Sequence, residues 1–216
     1  MSHTSKPKLV FDHIAVVART LEEGVDYVRA QLGIEMPPGG QHPFMGTHNC
    51  LLSLNDTEFL EVIAIDKGAE RPERPRWFDL DRFDGSPQIG AWIVGSPDIA
   101  ASFDKAHGRI IDMTRGDLKW QITVRDDGFL SSEGAYPQLI QWPDGPHPAS
   151  NMQTRGCRLH SFEISHPDAA QINQFLEDAL TDARISIVEG ERAFRAVFDT
   201  PSGLKTLMSR IVKRTG

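Results

Sequence analysis

The sequence of 216 residues is poor in several features that would mark particular classes of protein. It has two cysteines, Cys50 and Cys157, and neither lies in a CxxC pattern. We expect both to be buried thiols of a cytoplasmic protein, because disulfides persist mainly in oxidising compartments. No run of about 18 apolar residues occurs, so no membrane-spanning helix is predicted. The polar start, "MSHTSKPK", lacks the apolar stretch of a signal peptide, so we expect none.

Positive charge is also scarce. The chain carries 23 Lys and Arg residues against 30 Asp and Glu residues, a formal net charge of -7. Nucleic-acid binding and attachment to an anionic membrane both need a basic face, so we expect neither kind of partner. The signatures GxGxxG, P-loop, GxSxG and HExxH are absent. We therefore predict no nucleotide cofactor.

What the sequence does contain is a repeated unit of a strand followed by an amphipathic helix. It opens with "FDHIAVVARTLEEGVDYVRAQLG", returns as "QIGAWIVGSPDIAASFDKAHG" and returns again as "RLHSFEISHPDAAQINQFLEDAL". Further strand-like segments follow each copy. We predict a first βαβββ module over 9–66, a linker over 67–87, a second module over 88–145 and a smaller third module over 158–209. The fold class is α+β, with curved, mostly antiparallel sheets around a cleft and helices on the outer face.

Strand alternation predicts where polar side chains meet. His13, Ala15 and Val17 should share one face of the first strand, and Phe59 and Glu61 one face of the fourth. A glutamate within an apolar strand is costly to bury without a partner. Glu61 should therefore face water, a cavity, a cation or a hydrogen-bond donor. His13 is its natural neighbour if the first and fourth strands pair.

Several phrases, read in order, resemble the glyoxalase-like domain proteins of the vicinal-oxygen-chelate superfamily, which includes glyoxalase I, extradiol dioxygenases and bleomycin-resistance proteins. They are "FDHIAVV", "GGQHPFMGTHNCLLSL", "FLEVIAID", "RPRWFDLD", "LIQWPDGPHPA" and "HSFEISHPD". The resemblance implies a cleft in which the first and fourth strands of paired modules hold a divalent metal: Zn, Mn, Fe or Ni.

By this resemblance, His13 and Glu61 match two metal-ligand positions, and Gln141 matches a third. The fourth position falls near Ala91 or Trp92, which departs from a full ligand set. His160 could replace it if the third module packs into the same cleft. Glu61 could also move a proton as the catalytic residue. The plainer interpretation of His13 and Glu61 is a hydrogen-bonded polar pair that lines the cleft.

Four further residues are candidate substrate contacts: Asn49, Phe59, Arg76 and Trp92. Arg76 could bind a substrate carboxylate or merely belong to a solvated linker, and Trp92 could line the cleft or the core. Two functions follow. One is a metal-dependent isomerase, lyase or dioxygenase acting on a small vicinally oxygenated substrate. The alternative is a metal-free protein that sequesters a small molecule. A structural or interaction role is a third, and open sheet edges favour a homodimer.

Overall fold

The computed structural model describes residues 6–210. Three α-helices are present there: α1 (Leu21–Leu32), α2 (Ile99–Ser102) and α3 (Ala169–Leu176). The strands of the first unit are β1 (Val10–Val17), β2 (Pro38–His42), β3 (Thr47–Asn55) and β4 (Glu58–Ile65). Those of the second are β5 (Gln88–Gly95), β6 (Arg109–Arg115), β7 (Leu118–Val124) and β8 (Gln138–Gln141). Those of the third are β9 (Arg158–Ser165), β10 (Ile185–Val188), β11 (Ala193–Thr200) and β12 (Gly203–Arg210).

Helix α1 is capped at both ends by local chemistry. The Oγ1 of Thr20 accepts a hydrogen bond from the backbone N–H of Glu23 at 3.2 Å. Gly33 follows the helix with a φ of 69°, and its N–H reaches the carbonyl of Arg29. A glycine suits this left-handed position because it has no Cβ to clash with the preceding turn.

The first two units form one sheet of eight strands. Its order is β2-β3-β4-β1-β5-β8-β7-β6, so β1 lies between β4, which is parallel to it, and β5, which is antiparallel. The sheet curls until its two margins approach each other. Arg115 on the edge strand β6 reaches the side chain of Asn49 on β3 at 3.3 Å. The result is a half-barrel with a concave inner face, as the predicted fold class requires.

The segment around "MPPGGQHPFMG" reads as a loop by its Pro and Gly content, but the structure forms the short edge strand β2 there. Pro38 is its first residue, a position where a missing N–H is tolerated at a sheet edge. Gly39 lies so close to β3 that a Cβ atom would stand 1.8 Å from the carbonyl oxygen of Asn49. Close approach of the two backbones, rather than flexibility, therefore explains this glycine.

The third unit forms a separate sheet in the order β10-β9-β11-β12. It covers the outer, helix-bearing face of the half-barrel. Phe162 and Phe194 of this sheet share one apolar core with Ile14 and Trp92 of the large sheet. The rings of Trp92 and Phe162 meet edge to face, 6.0 Å apart. The third sheet and the concave face thus lie on opposite sides of β1 and β5. Within residues 6–210, no helix combines the length and the apolar character that crossing a bilayer would require.

Candidate active site

A cavity of about 40 Å³ lies on the concave face of the half-barrel. His13, Phe59 and Glu61 line it from β1 and β4, as strand alternation predicts. The aromatic and apolar walls come from β6–β8, from the linker and from the segment after β8. They include Trp77, Phe78, Trp120, Ile122, Ile140, Trp142, Pro148 and Met152. The structure therefore brings the predicted histidine and glutamate into one concavity.

A β-bulge in β1 places two polar side chains next to each other. Phe11 pairs with Val94 and His13 with Ile93, which leaves Asp12 as the extra residue of β1. A bulge breaks the alternation of faces, so Asp12 and His13 both point to the concave side. The Nδ1 atom of His13 lies 2.6 Å from Oδ1 of Asp12. Because a carboxylate can only accept, Nδ1 carries the hydrogen, and Nε2 is the nitrogen that faces the cavity.

His13 faces Glu61 across a short gap. Its Nε2 lies 3.7 Å from Oε2 of Glu61, too far for a direct hydrogen bond but close enough for both atoms to contact a third group. The imidazole stacks on the ring of Phe59, with centroids 4.3 Å apart and planes 15° apart. Only 4% of His13 and 5% of Glu61 are exposed. Electrostatic interactions between these groups are therefore weakly screened by solvent.

Asn49 holds the other oxygen of Glu61. Its Nδ2 donates to Oε1 of Glu61 at 2.6 Å, and the same nitrogen lies 3.4 Å from Nε2 of His42. The Oδ1 of Asn49 accepts from the N–H of Gly40 and from Arg115. Both the nitrogen and the oxygen of the Asn49 amide thus have hydrogen-bond partners. Rotating the amide by 180° would place its oxygen against the carboxylate of Glu61. Asn49 therefore fixes Glu61 with Oε2 directed towards His13.

His42 is a neutral partner in this network. Burial, followed by the charges of Arg115 and His48, lowers the pKa of His42 to about 3. Its Nδ1 lies 3.1 Å from the hydroxyl of Thr47, which also accepts the indole N–H of Trp77. A neutral ring whose Nδ1–H donates to Thr47 presents a lone pair at Nε2 to Asn49. His42 therefore helps to orient the amide that holds Glu61.

Asp12 has a second set of partners on its other oxygen. Its Oδ2 accepts from Nε1 of Trp142 at 2.8 Å and lies 3.1 Å from Nε2 of His147. Burial raises the pKa of Asp12, but the hydrogen bonds from His13 and His147 outweigh it. The pKa of Asp12 consequently lies below its ordinary value, and the group is an anion inside the protein.

Gln141 does not join the cavity. Strand alternation sends Ile140 to the concave face and Gln141 to the opposite one. The Oε1 of Gln141 accepts the N–H of Ile99 at 2.7 Å, at the start of α2. The assignment of Gln141 as a metal ligand is therefore not supported by its position, because it lies one residue out of phase.

His160 is also remote from the cavity. It lies on β9 of the outer sheet, where its side chain is 52% exposed and its Nδ1 is 3.3 Å from Asp199. The pairing of β9 with β11 shifts register at this point, where Ser161 pairs with Val197 and Leu159 with Phe198. The condition under which His160 was expected to be a ligand, a third module packed into the cleft, is not met.

Two of the four candidate substrate contacts lie elsewhere. Trp92 points to the outer core, is fully buried, and donates its indole N–H to the carbonyl of Ala135 at 2.8 Å. Arg76 lies in the linker, where its guanidinium binds Asp81 at 2.5 Å and the carbonyl of Gly46 at 3.3 Å. Trp92 is therefore core and Arg76 supports a loop. Asn49 and Phe59 do reach the site.

The donor set does not fit a resident metal held by three or four side chains. Within residues 6–210, no group of three or more His, Cys, Asp or Glu side chains is arranged to hold a metal ion. On the concave face, the second unit contributes Ala91, Ile93 and Ile140, which have no donor atom in their side chains. His13 and Glu61 remain as the two donors that converge.

Three residues that contribute to the site are not predicted from the sequence. Asp12 is hidden because a bulge is not visible in an alternating pattern. Arg115 belongs to the far edge of the sheet and arrives only because the sheet curls. His147 follows a proline in a segment that reads as a linker. The one available signal was the Asp-His pair itself, since a carboxylate beside a functional histidine often orients it.

The paired units, joined through β1 and β5 around a shared cleft, define a protein of the vicinal-oxygen-chelate superfamily. The chain belongs to the family of the glyoxalase-like domain, whose sequence profile matches residues 11–180. A search among curated proteins finds no significant match.

Several solved structures are similar to this chain at low sequence identity. A hypothetical protein from Staphylococcus aureus is 16% identical with a TM-score of 0.55, and the match covers 85% of this chain and 87% of that one. A methylmalonyl-CoA epimerase variant from Streptomyces coelicolor, in complex with 2-nitronate-propionyl-CoA, is 19% identical with a TM-score of 0.42 over 64% and 97% of the two chains. The epimerase from Mycobacterium tuberculosis is 13% identical with a TM-score of 0.43 over 68% and 94%.

Proposed function

We propose that this protein is an enzyme that moves a proton on a small oxygenated substrate, as an isomerase or a lyase does. Glu61 is the catalytic residue and His13 is its partner. The observation that carries the proposal is the gap of 3.7 Å between Nε2 of His13 and Oε2 of Glu61 at a buried position. Two groups that can accept or donate a proton face the same small volume, and each is held from behind by another side chain.

The hydrogen bonds suit proton transfer. Asp12 engages Nδ1 of His13, which leaves Nε2 free, and Asn49 engages Oε1 of Glu61, which leaves Oε2 free. A substrate C–H or O–H placed in the gap would contact one acceptor on each side. Positioned acid–base groups of this kind typically contribute rate factors of about 10² to 10⁴. Phe59 is the proposed substrate contact on β4, and Asn49 acts by holding Glu61 in place.

The donor set favours proton transfer over oxygen chemistry. Non-haem iron oxygenases hold their metal with two histidines and one carboxylate. The described residues bring together one histidine and one carboxylate, so a dioxygenase site is not complete. A divalent ion would have His13 and Glu61 as its protein ligands and would act as a Lewis acid on vicinal oxygens.

The test is exchange of substrate protons with solvent. Purified protein is incubated in D₂O with an α-hydroxy ketone, an α-keto acid and an α-hydroxy acid, and deuterium uptake is followed by NMR. We expect uptake beside the carbonyl with the wild type and a loss of about 10² or more in Glu61→Gln. Glu163→Gln, an exposed glutamate on β9, is the matched control.

The same assay decides the role of a metal. Each reaction is run after chelation and again with added Zn²⁺, Mn²⁺, Fe²⁺ or Ni²⁺. Uptake that survives chelation assigns the chemistry to the side chains. Uptake that appears only with one ion shows that His13 and Glu61 act through it. No uptake from any probe under any of these conditions contradicts the proposal.

A second candidate is a protein that binds and sequesters a small aromatic molecule. The observation that favours it is the lining of the cavity, where Trp77, Trp120 and Trp142 surround one polar pair. Such a protein would bind an aromatic probe equally well in Glu61→Gln and in the wild type, with no deuterium uptake. We further propose a cytoplasmic location, because both cysteines are free buried thiols. The homodimer expected from open sheet edges stays a prediction.

A further inference from the structure

Asp12 stands between two parts of the molecule. One of its oxygens binds His13 on β1, and the other accepts hydrogen bonds from Trp142 and His147. Trp142 and His147 belong to residues 142–152, which we call the strap. The strap leaves β8 of the second unit, and the chain then forms a bridge from Thr154 to Ser53 of the first unit. The strap therefore crosses from one unit to the other over the cleft.

The strap borders one side of the cavity. Pro148 and Met152 supply part of its wall, beside Trp142. The cavity volume of about 40 Å³ holds roughly three water molecules. Pockets that bind small molecules usually measure about 300–1,000 Å³. A substrate of ordinary size needs more room than this, so part of the wall must move to admit it. The strap and the linker residues Trp77 and Phe78 are the wall segments outside the sheet, and of these the strap also contacts Asp12.

The strap is also pre-shaped to make its contact with Asp12. His147 precedes a short 3-10 turn, Pro148–Asn151, and its Nδ1 accepts the N–H of Ala149 at 3.1 Å. That bond leaves the ring hydrogen on Nε2, the nitrogen that faces Asp12. The indole of Trp142 can only donate. Both strap donors thus meet a buried anion, and hydrogen bonds to charged groups are stronger than those between neutral groups.

We propose that Asp12 is a positioning residue that couples closure of the strap over the cleft to the orientation of His13. The proposal rests on the function proposed above for His13. With the strap closed, Trp142 and His147 fix one oxygen of Asp12, and the other oxygen then holds His13 with Nε2 towards Glu61. With the strap open, Asp12 loses two donors and is free to turn away from His13.

The first test measures the hydrogen on the ring of His13, in the whole protein and without any substrate. Two-bond ¹H–¹⁵N spectra distinguish the two neutral tautomers, and His13→Gln assigns the signal. In the wild type we expect the tautomer with hydrogen on Nδ1. In Asp12→Asn, the donors Trp142 and His147 still need an acceptor, so they stay bound to the oxygen of the new amide. The amide nitrogen then faces Nδ1 of His13. Because that nitrogen is a donor, Nδ1 must accept and the ring hydrogen moves to Nε2.

The matched control is Asp199→Asn, which alters the exposed carboxylate beside His160. It should leave the tautomer of His13 unchanged. A wild-type signal with hydrogen on Nε2 overturns the proposal, and this measurement does not depend on whether Asp12→Asn folds. A folded Asp12→Asn that keeps hydrogen on Nδ1 overturns it too.

The second test measures the strap. In His147→Asn, asparagine still caps the 3-10 turn but is too short to reach Asp12. We expect amide hydrogen exchange in residues 149–152 to rise at least about tenfold, as for loss of a hydrogen bond to a charged group. His160→Asn is the control and should leave exchange there unchanged. Exchange that stays at the wild-type rate in His147→Asn overturns the coupling.

The two proposals fail in different ways. If no substrate proton exchanges but the tautomer and the strap behave as expected, the function proposed for His13 is wrong and the coupling stands as a property of the fold. If proton exchange is found and the tautomer does not respond to Asp12→Asn, the enzyme proposal stands and Asp12 has no positioning role.

Discussion

Asn49 donates an N–H to Oε1 of Glu61 across 2.6 Å, and this contact fixes the direction in which the buried carboxylate faces. The two residues are on adjacent antiparallel strands, β3 and β4. A side-chain amide can donate twice and accept twice, and the contacts of Asn49 with Glu61, His42, Gly40 and Arg115 use both sides of it. The protein itself therefore sets the orientation of the Glu61 carboxylate.

The variant Asn49→Asp should destabilise the protein. It replaces a donor with a second carboxylate against Glu61, and we expect the free energy of unfolding to fall by about 1–3 kcal/mol near neutral pH. Urea denaturation measures the change. A carboxyl whose folded pKa is raised by a like charge destabilises above that pKa and not below its unfolded pKa, so the loss should shrink as pH approaches about 4. Asn55→Asp, in an exposed turn, is the control, and an equal loss in both variants would contradict this account.

His42 should make stability depend on pH. Its folded pKa of about 3 lies below the ordinary value of 6.5, so the unfolded chain binds the proton more readily. The stability contributed by the neutral ring is complete above the unfolded pKa and is lost as pH falls from about 6.5 towards 3, with a slope of up to about 1.4 kcal/mol per pH unit. Urea denaturation of wild type and His42→Gln over this range measures the difference. If His42→Gln keeps the wild-type dependence of stability on pH, and His160→Gln shows the same slope, then His42 is not its source.

Gln141 should matter for stability and not for the site. Gln141→Ala removes the acceptor for the N–H of Ile99, which we expect to cost about 1 kcal/mol of unfolding free energy. Gln121→Ala, on the neighbouring strand with an exposed hydrogen bond to Asp112, should cost less. The readouts are urea denaturation and the deuterium-uptake assay. Loss of uptake at unchanged stability would instead restore Gln141 as a ligand.

Trp92 should likewise behave as a core residue. Trp92→Phe leaves the buried carbonyl of Ala135 without its donor and leaves a void, so a loss of about 2–4 kcal/mol is expected by urea denaturation. Trp120→Phe, in the cavity wall, should change stability less but weaken binding of an aromatic probe. If Trp120→Phe costs more stability than Trp92→Phe, and Trp92→Phe weakens probe binding more, then Trp92 contacts the ligand.

Strand periodicity was enough to predict that His13 and Glu61 face one concavity. The alternation that sets His13, Ala15 and Val17 on one face holds, and the parallel pairing of β1 with β4 brings Glu61 opposite Ala15. The first and last residues of α1 were predictable for a similar reason, because Thr20 and Gly33 act through bonds within a few residues of themselves. Local chemistry and period-two geometry thus carry over from sequence to structure.

What could not be predicted depends on one-residue shifts and on curvature. A bulge turned Asp12 to the side of His13, and a register shift leaves His160 outside the pairing of β9 with β11. Gln141 lies one position out of phase with the cavity, since Ile140 is the residue that faces it. Contacts such as that of Arg115 with Asn49 depend on how far the sheet curls, which no local pattern encodes.

The outer sheet has a practical consequence for handling this protein. The stretch that matches the family ends at residue 180, before β11 and β12 begin. Those two strands carry Phe194, Phe198 and Leu207, which pack in the core that also contains Trp92. A recombinant fragment that ends at residue 180 would expose that core to water and should aggregate. The shortest fragment that can fold on its own must therefore extend beyond the residues that match the family.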